Sequence, residues 1–373
     1  MRLLVSARDP GAALSIFEVI KQIKYFQQIT LSVFAMEPAF GIFQGLGVQV
    51  NKVDCKPATS GNSQNPLQLH REAKSILEKN KPDALLVGLS GPDAGIDEAL
   101  LAQASKSRLP SYAIQDFGGD VNLTFEQPAD TYFVLDDSAG DLTRKKVNAK
   151  VVVVGSVKHS SYHLIDIEGL RSQFHNKISC QENDHVITFC GQPLWHLESY
   201  RENLEKLALV VSESNQDTIL LYKPHPKETV QDAAMALDIV KKHHRNSKLE
   251  KELATETLLA RSDLLCSSFS LAGLDQVFLN RAASKPLGIT AFVLMAEGLL
   301  RWYRNFTKHD EAMPGIAEFA EVVLSQEGLR TSIDHSRNPA YRRQRWLNII
   351  EKLPDPTNSS KLVVSHILNE LQD

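Results

Sequence analysis

The sequence predicts an α/β protein made of two parallel-sheet domains in tandem, followed by a helical C-terminal segment. Three observations lead there. Short runs rich in Val, Leu, Ile and Phe alternate with amphipathic helical patterns, as in repeated βαβ units. At 373 residues the chain exceeds one ordinary core and, at about 150 residues per domain, suggests two. The alternation also restarts after a polar, His-bearing stretch over 155–184.

In chain order, the first domain has expected strands at 3–7, 30–35, 48–53, 84–88, 111–115, 131–135 and 150–154. Their near-continuous apolar content implies burial on both faces, with helices on both sides of the sheet. The crossover over 11–24 puts Leu14, Phe17, Ile20 and Ile23 at helical spacing, and 67–79 and 96–106 supply two more. Residues 56–66 are polar and rich in turn formers, which predicts a surface loop able to act as a lid. In the second domain strands are expected at 185–190, 218–222, 263–266 and 286–290, and helices at 197–212, 229–243 and 271–279. The divisions are 1–165, 166–338 and a helical segment 339–373, broken at Pro354 and Pro356, that packs back across the interdomain groove in this reading.

Composition limits the function. A net charge of -4 and an isoelectric point near 6.3 give no general basic surface, which argues against a dedicated nucleic-acid partner. Cys55, Cys180, Cys190 and Cys266 are widely spaced, without the pairing of a zinc or disulfide framework. The apolar part of the N-terminus is too short for a signal or membrane span, so a cytoplasmic protein is expected, with peripheral association at the inner face of a membrane left open. No HxH, HExxH or DxD element is present, so no metal and no other cofactor is expected.

In open parallel sheets, ligands bind at the carboxyl ends of strands, where helix N-termini offer unpaired N–H groups. All the segments that stand out fall at such ends. In the first half, Asp9 precedes Gly11 after the first strand and reads as a helix cap or a general base. Ser90 and Asp93 belong to a Gly-rich turn, and with Gly11 they form expected acceptor-side loops. Asp116 ends the fifth strand as a general base, an acceptor-orienting carboxylate or a plain turn residue.

In the second half Gly191 and Gln192 form one turn, and Lys223, Pro224 and His225 form another. Each proline there pushes the residue before it into an extended conformation, which presents Lys223 and His225 rigidly. Ser267, Ser268 and Ser270 make the third turn, with hydroxyls that either cap a helix or help cradle a phosphate. Three such turns on neighbouring strands converge on one anion-sized space, which points to a nucleotide phosphate.

These residues carry a resemblance. The tandem architecture resembles the GT-B superfamily, which implies two Rossmann-like domains facing a cleft, with a sugar-nucleotide held mainly by the C-terminal one. Arg8-Asp9-Pro10-Gly11-Ala12-Ala13 is similar to the Asp-Pro-Gly-Gly-Ala opening of bacterial surface-polysaccharide proteins related to glycosyltransferases and UDP-N-acetylglucosamine 2-epimerases. Gly191-Gln192-Pro193-Leu194, Lys223-Pro224-His225-Pro226 and Ser267-Ser268 resemble the bacterial sialyltransferase and polysialyltransferase group. That likeness implies that His225 stabilises charge on the leaving phosphate with help from Lys223, while the serines bind the same phosphate. Where many GT-B proteins hold the ribose with a Glu, the nearest carboxylate is Asp275.

The function expected first is a metal-independent glycosyltransferase. It would use a CMP- or UDP-sugar donor, including CMP-nonulosonate, on a glycan, glycolipid or protein acceptor in cell-surface polysaccharide synthesis. Asp9 or Asp116 would be the base. Two alternatives remain: a sugar-nucleotide 2-epimerase or hydrolase of the same fold, whose extra acid–base carboxyls are not evident in the sequence, and a catalytically silent nucleotide-binding or scaffold protein.

Overall fold

A computed structural model describes residues 1–58, 64–89, 93–214, 217–307 and 318–371. Contacts divide the chain into two units, Met1–Ser161 with Pro354–Asp373, and Tyr162–Leu353. The first unit contains β1 (Arg2–Ala7), α1 (Pro10–Ile23), β2 (Thr30–Ala35), α2 (Ala39–Gly45), β3 (Asn51–Lys52), α3 (Gln64–Asn80), β4 (Ala84–Gly88), α4 (Ile96–Ser107), β5 (Ser111–Ile114), β6 (Thr131–Val134), α5 (Asp137–Arg144) and β7 (Lys150–Val153). Its strands form one parallel sheet in the order β3-β2-β1-β4-β5-β6-β7.

Successive side chains of β1 go to opposite layers. Leu3, Val5 and Ala7 join Ile16, Val19 and Ile20 of α1, whereas Leu4 joins Leu69 of α3 and Leu100 of α4. Each such aliphatic burial stabilises by roughly 1.5–3 kcal/mol, so the sheet is held from both faces, as its continuous apolar strands require.

The second unit contains α6 (Ile167–Lys177), β8 (His185–Cys190), α7 (Glu198–Ser212), β9 (Thr218–Lys223), α8 (Val230–His243), β10 (Ser247–Leu249), α9 (Thr255–Arg261), β11 (Leu264–Ser267), α10 (Ala272–Ala282), β12 (Ile289–Val293), α11 (Glu297–Thr307), β13 (Glu321–Val323), α12 (Gln326–Arg337) and α13 (Pro339–Lys352). Its parallel sheet runs β10-β9-β8-β11-β12-β13. The two sheets are Rossmann-like α/β layers of the GT-B type.

Several boundaries differ from those expected. The division falls after Ser161 rather than 165, and α6 occupies what reads as a polar boundary, capped by Asp166 on Gly169 N at 3.0 Å and anchored by a fully buried Phe174. The C-terminal segment is split: α13 packs on α10 and α12, whereas α14 (Ser359–Glu370) returns to the first unit and buries Val363, Val364 and Ile367 against α1. The break between them follows from Pro354 and Pro356, which cannot donate helical hydrogen bonds. β12 begins at Ile289, three residues later than expected. The residue before it, Gly288, is so close to the next strand connection that a Cβ would lie 1.9 Å from Ser262 O.

Candidate functional site

In each sheet the order reverses beside its first strand, between β1 and β4 in the first unit and between β8 and β11 in the second. Loops leaving such a pair part to opposite faces and leave a crevice at the carboxyl ends.

In the second unit, Lys223 of β9 lies opposite Cys190 of β8, which lies opposite Ser267 of β11. The three turns singled out in the sequence therefore begin side by side on adjacent strands. Gln192 spans the reversal point: its Oε1 accepts from Phe269 N at 2.9 Å, and its own N donates to Tyr200 Oη at 2.8 Å. Gly191 is glycine because of what packs against it. A Cβ there would lie 2.3 Å from Tyr222 Oη and 2.5 Å from Glu228 Oε1.

The three serines divide by role. Ser267 Oγ accepts from Ser270 N at 3.3 Å and Ser268 Oγ from Asn203 Nδ2 at 3.4 Å, and both serines are buried. Asn203 in turn bonds Val293 O and Met295 N, so Ser268 belongs to a packing network. Ser270 is half-buried and its Oγ accepts from Ala272 N at 3.3 Å, at the start of the 11-residue α10, where the helix dipole favours an anion. Asp275 is in the first turn of α10 and buried, and its charge adds to the burial that raises the Cys190 thiol.

The Lys223-Pro224-His225 turn is rigid, but its cation is committed. Lys223 Nζ donates to Leu253 O at 2.6 Å and Lys251 O at 3.3 Å, and burial lowers its pKa. Lys223 thus pins the loop before α9. The half-buried His225 accepts from Lys227 N at Nδ1 (3.1 Å), which places the imidazole proton on Nε2, while its carbonyl accepts from Glu228 N at 2.9 Å. Glu228 receives the Tyr222 hydroxyl at 2.9 and 3.1 Å, and burial raises its pKa to about 7.

In the first unit the crevice is lined by carboxyls around one arginine. Arg8, 4% exposed, donates through Nη2 to Asp93 O at 2.5 Å and lies 4.0 Å from Asp9 Oδ2. Asp9 is the N-cap of α1, yet its side chain makes no capping hydrogen bond. Asp116 presses on the same helix start, since a Cβ on Gly11 would lie 1.7 Å from its Oδ2. Beneath them, Asp97 Oδ1 accepts from Ser6 Oγ at 2.5 Å, and Glu98 accepts from Gly95 N at 2.6 Å and Asn122 Nδ2 at 3.1 Å.

Burial, opposed by Arg8, raises Glu98 to about 7 and Asp97 well above the usual carboxylate range. Burial also raises Asp120, against Lys146 and Arg8. Among the described residues, Arg8 Nε and Asp97 Oδ2 are buried without a hydrogen-bond partner.

The structure thus gathers Asp9, Gly11, Asp93 and Asp116 in one unit, and Gly191, Gln192, Pro224, His225 and the serine turn in the other. Ser90 lies outside the described residues, as do residues 59–63 of the expected lid. Sequence reading assigned no role to Arg8, Asp97, Glu98, Asp120, Tyr200, Tyr222 or Glu228. The one available signal was Glu228, which ends the prolyl turn. Among the described residues, no group of three or more His, Cys, Asp or Glu could hold a metal ion, and no helix is long and apolar enough to cross a membrane.

No protein-family model matches the chain, and no curated protein does. Solved structures do. UDP-GlcNAc 2-epimerase from Neisseria meningitidis, bound to UDP-GlcNAc, matches with a TM-score of 0.71 at 15% identity, covering 99% of this chain and 100% of that one. The S. aureus MnaA–UDP co-structure matches with a TM-score of 0.70 at 13% identity, covering 100% and 97%. Acinetobacter baumannii MurG matches with a TM-score of 0.59 at 12% identity, covering 99% of each chain. At these identities the likeness is one of fold, and the chain has the GT-B fold.

Proposed function

We propose that this chain is a nucleotide-sugar enzyme of the 2-epimerase or hydrolase type. The observation that carries the reading is the cluster of Asp9, Asp97, Glu98 and Asp120 around Arg8, with Asp116 against the start of α1 at Gly11. A transferase needs one base for its acceptor. Inverting a carbon centre needs groups that both take and return protons, so more than one carboxyl at the same crevice suits it. Asp9 and Asp116 are the candidates for direct proton transfer. Asp97 and Glu98, fully buried, tune and position them.

In the second unit, the N-terminus of α10, the Gln192 turn and His225 supply the donors for a nucleotide phosphate, with His225 Nε2–H offered to the developing negative charge. No catalytic metal or bound cofactor enters this proposal. The higher TM-scores of UDP-GlcNAc 2-epimerases relative to MurG support it. The glycosyltransferase reading is the second one, supported by MurG and by the prolyl-turn resemblance. Incubation with UDP-GlcNAc and no acceptor, followed by NMR, separates the two: epimerised sugar or free UDP is expected, whereas turnover only after an acceptor is added would overturn the epimerase reading.

A further inference from the structure

Two short hydrogen-bonded chains run beneath the three turns of the second unit. One begins in the serine turn, where Phe269 N donates to Gln192 Oε1, and continues from Gln192 N to Tyr200 Oη. In the other, the Tyr222 hydroxyl donates to both Glu228 oxygens. Glu228 N then closes onto His225 O in the prolyl turn.

The Tyr222 proton is committed to Glu228, and the Tyr200 oxygen accepts the Gln192 amide. The missing Cβ of Gly191 is what lets Tyr222 and Glu228 meet under the first turn.

The carboxyl at the end of this chain has no structural necessity as an anion. Among the described residues it forms no ion pair with Lys or Arg, and a neutral amide could accept the same phenol. The groups facing it are Tyr222 from β9, Tyr200 from α7, Trp195 from the turn after β8, His225 and Lys227 from its own turn, and Asp232 from α8. Of these, Asp232 is the anion, and it also opposes ionisation of Glu228.

We propose that Glu228 is a proton-holding positioning residue, and that binding of a nucleotide-sugar diphosphate between the turns draws one proton from solvent onto its carboxylate. This rests on the nucleotide-sugar reading above. The physical cause is like-charge repulsion: a ligand anion brought to the same turns disfavours the Glu228 carboxylate and favours its acid form. Glu228–COO⁻ and a solvent H⁺ give Glu228–COOH, and no bond of the ligand changes. Because burial holds the group at about 7, its charge can switch at neutral pH.

The test uses UDP-GlcNAc, whose diphosphate diester does not itself titrate near neutrality. Carbon-13 NMR of labelled Glu carboxyls, assigned with Glu228→Gln, should show a midpoint near 7 in the free protein, moving up with ligand. Calorimetry in buffers of different ionisation enthalpy should show proton uptake at pH 7, with affinity falling by up to about tenfold per pH unit above it. Glu228→Gln should bind without uptake. Tyr222→Phe, which keeps the ring but removes a donor to the carboxylate, should reduce uptake because Glu228 then stays protonated.

A free-protein midpoint in the ordinary carboxylate range overturns the proposal whether or not any nucleotide binds. Binding without uptake, or uptake that persists in Glu228→Gln, overturns the coupling and leaves the nucleotide-sugar reading standing. No binding by the wild type removes both.

Discussion

Beyond β1, β4 and β5, four carboxyls crowd one arginine. Beyond β8, β9 and β11, amides, hydroxyls and an imidazole take their place, and the lysine that the sequence offers is spent on backbone carbonyls. The two crevices share a strand order and differ in what fills them. The difference teaches that topology fixes where a site can form, while the side chains of the flanking turns decide its chemistry. One is suited to moving protons and the other to holding an anion.

The comparison can be broken first on the acidic side. Replacing Asp116 or Asp9 by Asn should reduce acceptor-free turnover by about 10²–10⁴-fold at unchanged nucleotide affinity, read by progress curves and calorimetry. Equal activity would remove the carboxyls from the chemistry.

Arg8→Met comes next, because it leaves buried carboxyls without their cation. A loss of about 3 kcal/mol is expected in urea unfolding, small at pH 5, where the acids are protonated, and growing toward pH 8. Glu98→Gln tests the same balance with the opposite sign. A carboxyl held at about 7 in the fold contributes stability that is lost as pH rises through that value. The Gln variant should therefore lose less stability than wild type between pH 5 and 8.

On the anion-holding side the effects are smaller. His225→Ala should lower turnover by about 10²-fold, as for the loss of one preorganised donor. Gln192→Ala cuts a neutral hydrogen bond across the reversal point and should weaken nucleotide binding by no more than about tenfold.

Much of the fold was legible in the sequence because β1, β4, β8 and β9 are apolar on both faces and stand out from their surroundings. The three-residue edge strands β10 and β13 left no such mark, and β3 keeps only Asn51–Lys52 of the strand expected at 48–53. The turns were legible for the same reason as the strands, since a turn is a local pattern of Gly, Pro and Ser after an apolar run.

What fills the crevices was not legible. Tyr222 lies within the apolar run of β9, and only the turn that follows, folding back, brings Glu228 to its hydroxyl. Arg8 meets Asp97 and Glu98 across β1 and the start of α4, partners far apart in the chain whose pairing no spacing announces. Ser268 shows the converse. It reads as a phosphate ligand and is buried against Asn203.

The most direct test of the account is to run the acceptor-free reaction with UDP-GlcNAc in deuterium oxide and follow C2 of the sugar by NMR. Proton removal and return by the carboxyl cluster predicts deuterium at C2 in the epimerised product, lost in the Asp9→Asn and Asp116→Asn variants. A nucleotide that binds yet returns with its C2 hydrogen intact would contradict it.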